Sequence, residues 1–329
     1  RAPVPNVAMI DERDATRVAE AAARAAFPNC WRFPSGTTPS FGEHAMVVSN
    51  SKLASAAGAE VMQAGGNAVD AAVATGFALA VTYPAAGNIG GGGFMNIRMA
   101  DGRSAAIDYR EVAPLRATAD MYQGPDGKVI RNASLVGHRA VAVPGTVAGL
   151  TMALKRWGTM PLNEVMAPAI RIAEEGYTVT STLNGLMKGA IDVLSQFPVA
   201  GAIYLNDGLP YEVGEKLVLR DLAKAYRLIA EKGPDVFYRG EIGEALVKEM
   251  ETGKGLITRE DLASYTPSIR EPVRGSYRGF EILSMPSPSS GGTHVLQILN
   301  ILEGYDLHKL GHNTPASIHL MAETMKHAF

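Results

Sequence analysis

The chain has 329 residues, of which 47% are hydrophobic and 19% charged, enough apolar material for a substantial core. A net charge of -2 with scattered lysines and arginines provides no basic field for nucleic acid, which is excluded as a partner. The apolar tract from Asp70 to Pro84 is too short and too rich in alanine and glycine for a membrane span, and no signal-type segment opens the chain. The start at Arg1 therefore fits a cytoplasmic protein or one whose leader has been removed. The single Cys30 leaves the redox compartment open.

In chain order, Asp11 to Ala26 mixes charges with alanines and predicts an exposed amphipathic helix, and Phe27 to Glu43 reads as a connector. Residues 1–43 form an N-terminal arm on this reading, and 44–329 belong to a single domain. Ala45 to Val48 is expected as a short strand. Ser51 caps a helix through Gln63, Gly65-Gly66-Asn67 stops it, and a second helix runs from Ala68 to about Val81. Small residues on both helices predict close packing on a sheet beneath them.

Glycines 90–93 follow. Glycine tolerates positive φ and lets another segment approach where a Cβ would clash. A sharp bend is the plainer reading. A phosphate cradle lacks its lysine and hydroxyl, and a dinucleotide fingerprint would open a helix where this run precedes a strand. Phe94 to Met99 and Ser104 to Tyr109, joined through Asp101-Gly102, predict a hairpin. Gly137 to Val143 is expected as a further strand, and Pro144-Gly145-Thr146 opens a helix ending at Trp157-Gly158. A mainly helical region covers about 147–265, with helices at Pro161–Gly176, Ser181–Gln196, Leu219–Gly233, Gly240–Met250 and Thr258–Ala263. Gly279 to Ser284 reads as a strand, Ser287 to Gly292 as a polar loop, and Thr293–Glu303 and Pro315–Phe329 as helices. Helices on both sides of an antiparallel sheet are the expected plan.

A complete catalytic set is missing. His308 and His312 lack the glutamate of an HExxH motif, and a GxSxG elbow does not occur. Ser289 and Ser290 are candidate nucleophiles, but a turn capping the next helix explains them better. Arg110, after Asp108-Tyr109, is the candidate binding residue, because its planar fork matches a carboxylate bidentately. Pairing with Asp108 or Glu111 is the competing use. Glu111 points to the opposite strand face, whereas Asp108 shares a face with Arg110 and could orient it.

Six blocks, in order, carry a resemblance: Gly87-Asn88-Ile89-Gly90-Gly91-Gly92-Gly93-Phe94-Met95, Ala106-Ile107-Asp108-Tyr109-Arg110-Glu111-Val112-Ala113-Pro114, Pro144 to Gly149, Gly158 to Leu162, Gly255 to Leu262 and Pro286 to Gly292. Together they resemble the large subunit of bacterial γ-glutamyltranspeptidases (glutathione hydrolases). The resemblance implies an α+β fold, the four-layer αββα sandwich of the N-terminal nucleophile hydrolases, completed by a small subunit cut from the same precursor. It implies a heterodimer whose catalytic threonine is the first residue of that small subunit, with no catalytic residue in this chain. Arg110 is then the residue that binds the donor's α-carboxylate. Glutathione and other γ-glutamyl compounds would be donors, and water or amino-acid and peptide amines acceptors, with no metal or cofactor and a periplasmic or secreted location. Glutaryl or cephalosporin acylases and poly-γ-glutamate depolymerases of the same fold are the alternative, and a non-catalytic scaffold subunit is an alternative of another class.

Overall fold

A computed structural model describes residues 41–329. The expected helix Asp11–Ala26, Cys30 and nearly all of the connector lie outside the described residues. Ala45–Val48 is not a strand: it runs as irregular chain, because no neighbouring strand offers a ladder to its apolar residues. Helix α1, Lys52–Gln63, starts where Ser51 accepts a bond from the Ala54 amide at 3.4 Å. Helix α2, Ala68–Thr82, opens on a reciprocal cap in which Asn67 and Asp70 each accept from the other's backbone. Val73, Ala74, Phe77, Ala78 and Val81 along α2 are wholly buried, so this helix is apolar nearly all round and forms the centre of the core.

Strands β1, Phe94–Arg98, and β2, Ser104–Asp108, pair antiparallel with Phe94 opposite Asp108 and Ile97 opposite Ala105. Gly102 turns the hairpin at a φ of 92°, where a side chain would be strained. The segment 137–143 departs from the expected strand. It holds one 3-10 turn, His138–Ala140, and only Val143 pairs, with Val112. Gly137 at φ 96° turns the chain, and the His138 ring bonds Glu249 at 2.8 Å and meets Phe197 edge-on, contacts that an extended run would forfeit.

Helices α3 (Thr146–Trp157) and α4 (Leu162–Glu175) follow, then the two-residue strand β3 (Tyr177–Thr178), α5 (Ser181–Leu194) and α6 (Pro198–Tyr204). Strands β4 (Leu205–Asn206), β5 (Leu209–Pro210) and β6 (Lys216–Leu217) are equally short; β4 pairs with β5, and β6 with β3. Helices α7 (Arg220–Lys232), α8 (Asp235–Tyr238), α9 (Glu241–Thr252) and α10 (Arg259–Ser264) complete this stretch. Strand β7, Ser268–Arg270, which periodicity does not reveal, returns to the far edge of β2 and makes the order β1-β2-β7. The hairpin β8–β9 (Val273–Tyr277 and Phe280–Ser284) packs against α11 (Gly291–Glu303), and α11 against α13 (Pro315–Ala328), with the short α12 (Leu307–Leu310) between them.

The main core joins α1, α2, α3, α4 and α7. Phe77 and Tyr226 meet edge-on at 5.6 Å, and the buried Tyr226 hydroxyl donates to the Phe77 carbonyl at 2.9 Å, so the ring is buried without an orphaned oxygen. Helices α1 and α2 pack chiefly on each other and on α4, and the sheet is approached most closely by α3. Asp70 ties α2 to the turn before α4. Its fully buried carboxylate accepts from the Asn67, Thr159 and Met160 amides and from the Thr159 hydroxyl, at 2.7 to 3.1 Å. Burial pushes its pKa up, but those bonds outweigh it and hold the group below its ordinary value.

Candidate substrate-binding site

Beyond β2 the ladder continues for one more pair. Tyr109 donates to the Gly93 carbonyl at 3.0 Å and accepts from its amide at 3.3 Å. This places the glycine run directly on the backbone of Tyr109, Arg110 and Glu111. A Cβ on Gly92 would lie 2.5 Å from the Tyr109 carbonyl oxygen and 2.8 Å from the Glu111 nitrogen. None of glycines 90–93 has positive φ, so close approach explains Gly92 and Gly93, while a Cβ on Gly90 would meet only Asn88 Oδ1 at 3.4 Å. The start of α3 seals the arrangement, since the Gly91 carbonyl accepts from Gly145 at 2.7 Å and Thr146 at 3.0 Å. Gly149 faces the Tyr109 ring, where any Cβ would collide. Burial pushes the Tyr109 phenol up to about 12.

Arg110 stands two residues past the end of β2 and is held at both ends of its peptide unit. Its amide donates to Asp108 Oδ1 at 3.2 Å, and its carbonyl accepts from the Tyr265 hydroxyl at 2.9 Å. Tyr265 is fixed in turn by stacking on Tyr238, at 5.8 Å and 8° between ring planes. The Tyr238 hydroxyl donates to the Pro144 carbonyl at 3.0 Å and accepts from the Ala148 amide at 3.1 Å. Burial raises the pKa of both phenols, keeping them protonated as donors.

The Arg110 guanidinium is exposed, with its carbon 5.9 Å from the centre of the Phe94 ring, and makes no ion pair with any described residue. The competing use, an ion pair with Asp108, does not occur. Asp108 Oδ2 accepts from Arg270 Nε at 3.0 Å and lies 3.0 Å from a terminal nitrogen of the same guanidinium, so Arg270 on β7 takes the carboxylate. Arg110 is thus a positioned cation with its fork unspent, a suitable arrangement for an external carboxylate. It lies on an open face of this chain. The 1140 Å³ groove between α3 and the 234–239 and 265–267 segments is lined by Tyr238 and Tyr265, not by Arg110.

Sequence reasoning missed Arg270 and Tyr265, which reach Asp108 and Arg110 from far along the chain, and Tyr238, which supports Tyr265 by stacking. Asp261 was missed likewise: it caps α10 through Thr258 and accepts from the Leu115 amide at 2.6 Å, anchoring the chain after Pro114. Ser289 Oγ accepts from the Gly291 amide at 3.3 Å, so the serine loop braces the start of α11. No group of three or more potential metal-ligating side chains occurs among the described residues.

The mixed helix and antiparallel-sheet fold is shared with solved structures of γ-glutamyltranspeptidases, which places the chain in the N-terminal nucleophile hydrolase class. The family description "Gamma-glutamyltranspeptidase" matches residues 54–329, and the chain belongs to that family. It is 47% identical over 292 residues to a glutathione hydrolase proenzyme of Pseudomonas sp. (strain A14), covering 88% of this chain and 51% of that protein. It is also 47% identical, over 297 residues, to an acylase ACY 1 proenzyme of Pseudomonas sp. (strain SE83), covering 88% and 53%. The crystal structure of Helicobacter pylori γ-glutamyltranspeptidase superposes with a TM-score of 0.85 at 44% identity, over 88% of this chain and 83% of that one. The chain spans about half the length of the curated relatives it matches.

Proposed function

We propose that this chain is the large-subunit portion of a γ-glutamyltransferase that also hydrolyses glutathione, and that Arg110 binds the α-carboxylate of the γ-glutamyl donor. The observation that carries the reading is Arg110, whose backbone is held at its amide and its carbonyl while its exposed fork is left without an anionic partner among the described residues. The remaining chemistry belongs to a companion subunit of the same processed precursor, a division supported by relatives that are named proenzymes and are about twice as long. That subunit's N-terminal threonine supplies the hydroxyl, and its own α-amino group takes the proton as the oxygen attacks the γ-carbonyl. The amide C–N bond breaks, the leaving amine is protonated, and a γ-glutamyl ester remains. Water or an acceptor amine then releases glutamate or a new γ-glutamyl amide. Arg110 contributes position, holding the donor so that its γ-carbonyl lies in the path of the hydroxyl.

The αββα sandwich is completed across the two subunits on this reading, with residues 1–43 as an added arm and 147–265 as a mainly helical excursion. A periplasmic or secreted location is proposed from the family resemblance, and no described helix is long and apolar enough to cross a membrane. The acylase relative and the match to a cephalosporin acylase of Bacillus halodurans support a second reading, hydrolysis of glutaryl or cephalosporin side chains, in which the same fork would hold a glutaryl carboxylate. In the processed two-chain enzyme, Arg110→Lys and Arg110→Ala are expected to raise the KM for glutathione about 10- to 100-fold. Unaltered KM in both variants removes the assignment. Faster turnover of a glutaryl amide than of glutathione by the unmodified enzyme selects the acylase reading.

A further inference from the structure

We propose that Arg270 is a positioning residue for this site, which keeps Asp108 from capturing the substrate-binding cation. The inference rests on the reading of Arg110 given above. Asp108 lies two residues before Arg110, and its carboxylate is mostly buried, with 11% of the side chain exposed. A largely buried carboxylate two residues from an exposed guanidinium is a competitor for any substrate carboxylate. The two oxygens of Asp108 are divided instead. Oδ1 accepts only the Arg110 backbone amide, at 3.2 Å, and Oδ2 is taken by Nε and a terminal nitrogen of Arg270, both at 3.0 Å.

The placement of Arg270 follows from β7. Ser268 and Asp108 are directly opposed across the β2–β7 ladder, and Arg270 stands opposite Ala106, so its long side chain reaches the carboxylate diagonally on the same face. On the opposite edge, Phe94 is the cross-strand partner of Asp108, and the Arg110 guanidinium rests near its ring, 5.9 Å from the centre. Arg110 and Arg270 therefore both lie at the Asp108 end of the sheet. Arg270 is committed to the protein's own acid, leaving Arg110 for an external one.

Loss of Arg270 frees Oδ2 to draw in the Arg110 fork, and the donor must then displace an internal ion pair. For Arg270→Gln in the processed enzyme, the KM for a γ-glutamyl anilide is expected to rise about tenfold, with kcat changed much less. Removing the freed charge as well, in Asp108→Asn/Arg270→Gln, is expected to restore KM to within about threefold of the unmodified enzyme, because asparagine keeps the Oδ1 acceptor but cannot hold the fork as an ion pair. A merely structural role for the Asp108–Arg270 pair predicts the reverse, a double variant no better than the single one, and that result overturns the proposal. Arg270→Lys, which retains the charge, is expected to keep KM within about threefold even if the glutamine variant folds poorly; a tenfold rise there also overturns it. An Arg110→Lys control separates the two ideas. If it raises KM while Arg270→Gln does not, Arg270 has no such role and the binding reading stands; if both it and Arg110→Ala leave KM unchanged, both are lost.

Discussion

At the residue scale the site depends on atoms that are absent as much as on those present. Gly92 and Gly149 leave room for the Tyr109 backbone and ring, and Tyr109 is what sets the next peptide unit where Asp108 and Tyr265 can hold it. Gly92→Ala forces a contact of 2.5 Å with the Tyr109 carbonyl, so either the glycine run or the Arg110 segment must shift. It is expected to destabilise the fold by about 1 to 3 kcal/mol in denaturant unfolding and to raise the donor KM in the same preparation. A KM equal to that of the unmodified enzyme would mean that the glycine run does not govern the placement of Arg110. The absence of an ion pair between Arg110 and Glu111 was legible in the sequence, from strand alternation. The freedom of Arg110 from Asp108 was not, because the partner that releases it comes from β7, 162 residues away along the chain.

At the element scale, boundaries marked by side-chain caps were readable. Ser51, Asn67 and Thr258 each start a helix in the structure, since a short polar side chain can bond the first free amides only there. Segments lacking local instructions were misread: Ala45–Val48 and 137–143 have apolar residues but no adjoining ladder, and β7 carries no alternation to announce it. Asp70 shows how much one capping residue can connect. It caps α2 and also binds the Thr159 and Met160 amides, so the chain between α3 and α4 is fixed on the end of α2. Asp70→Asn places an amide NH₂ among donors and is expected to cost about 2 to 4 kcal/mol at neutral pH. Because the folded carboxylate lies below its ordinary value of 3.8, its contribution is complete above that pH and is lost as pH falls through the lowered folded value. Denaturant unfolding of both proteins should therefore converge in strong acid, and a gap that persists there would exclude the charged carboxylate as its source.

At the scale of the whole molecule, the buried phenols couple stability to alkali. Tyr109 is pushed up to about 12 from an ordinary 10.0, and Tyr177, Tyr226, Tyr238 and Tyr265 are raised in the same direction by burial. In the unfolded chain these groups ionise first, so stability is complete below pH 10 and declines as pH rises through the folded values. Each contributes about 1.4 kcal/mol per pH unit within its own window. Absorbance of tyrosinate should show these phenols titrating late and together with loss of structure; early, independent titration would show that they are accessible.

The family and the α+β class were legible because six blocks recur in order, a pattern no single motif could supply. The contact between Arg110 and the donor's α-carboxylate can be isolated chemically. The processed enzyme and its Arg110→Ala variant can be compared on a γ-glutamyl anilide and on the 4-aminobutanoyl anilide that lacks only the α-carboxylate. The account predicts that removing the arginine weakens kcat/KM about 10- to 100-fold for the first donor and less than about threefold for the second. Equal losses on both donors would contradict it.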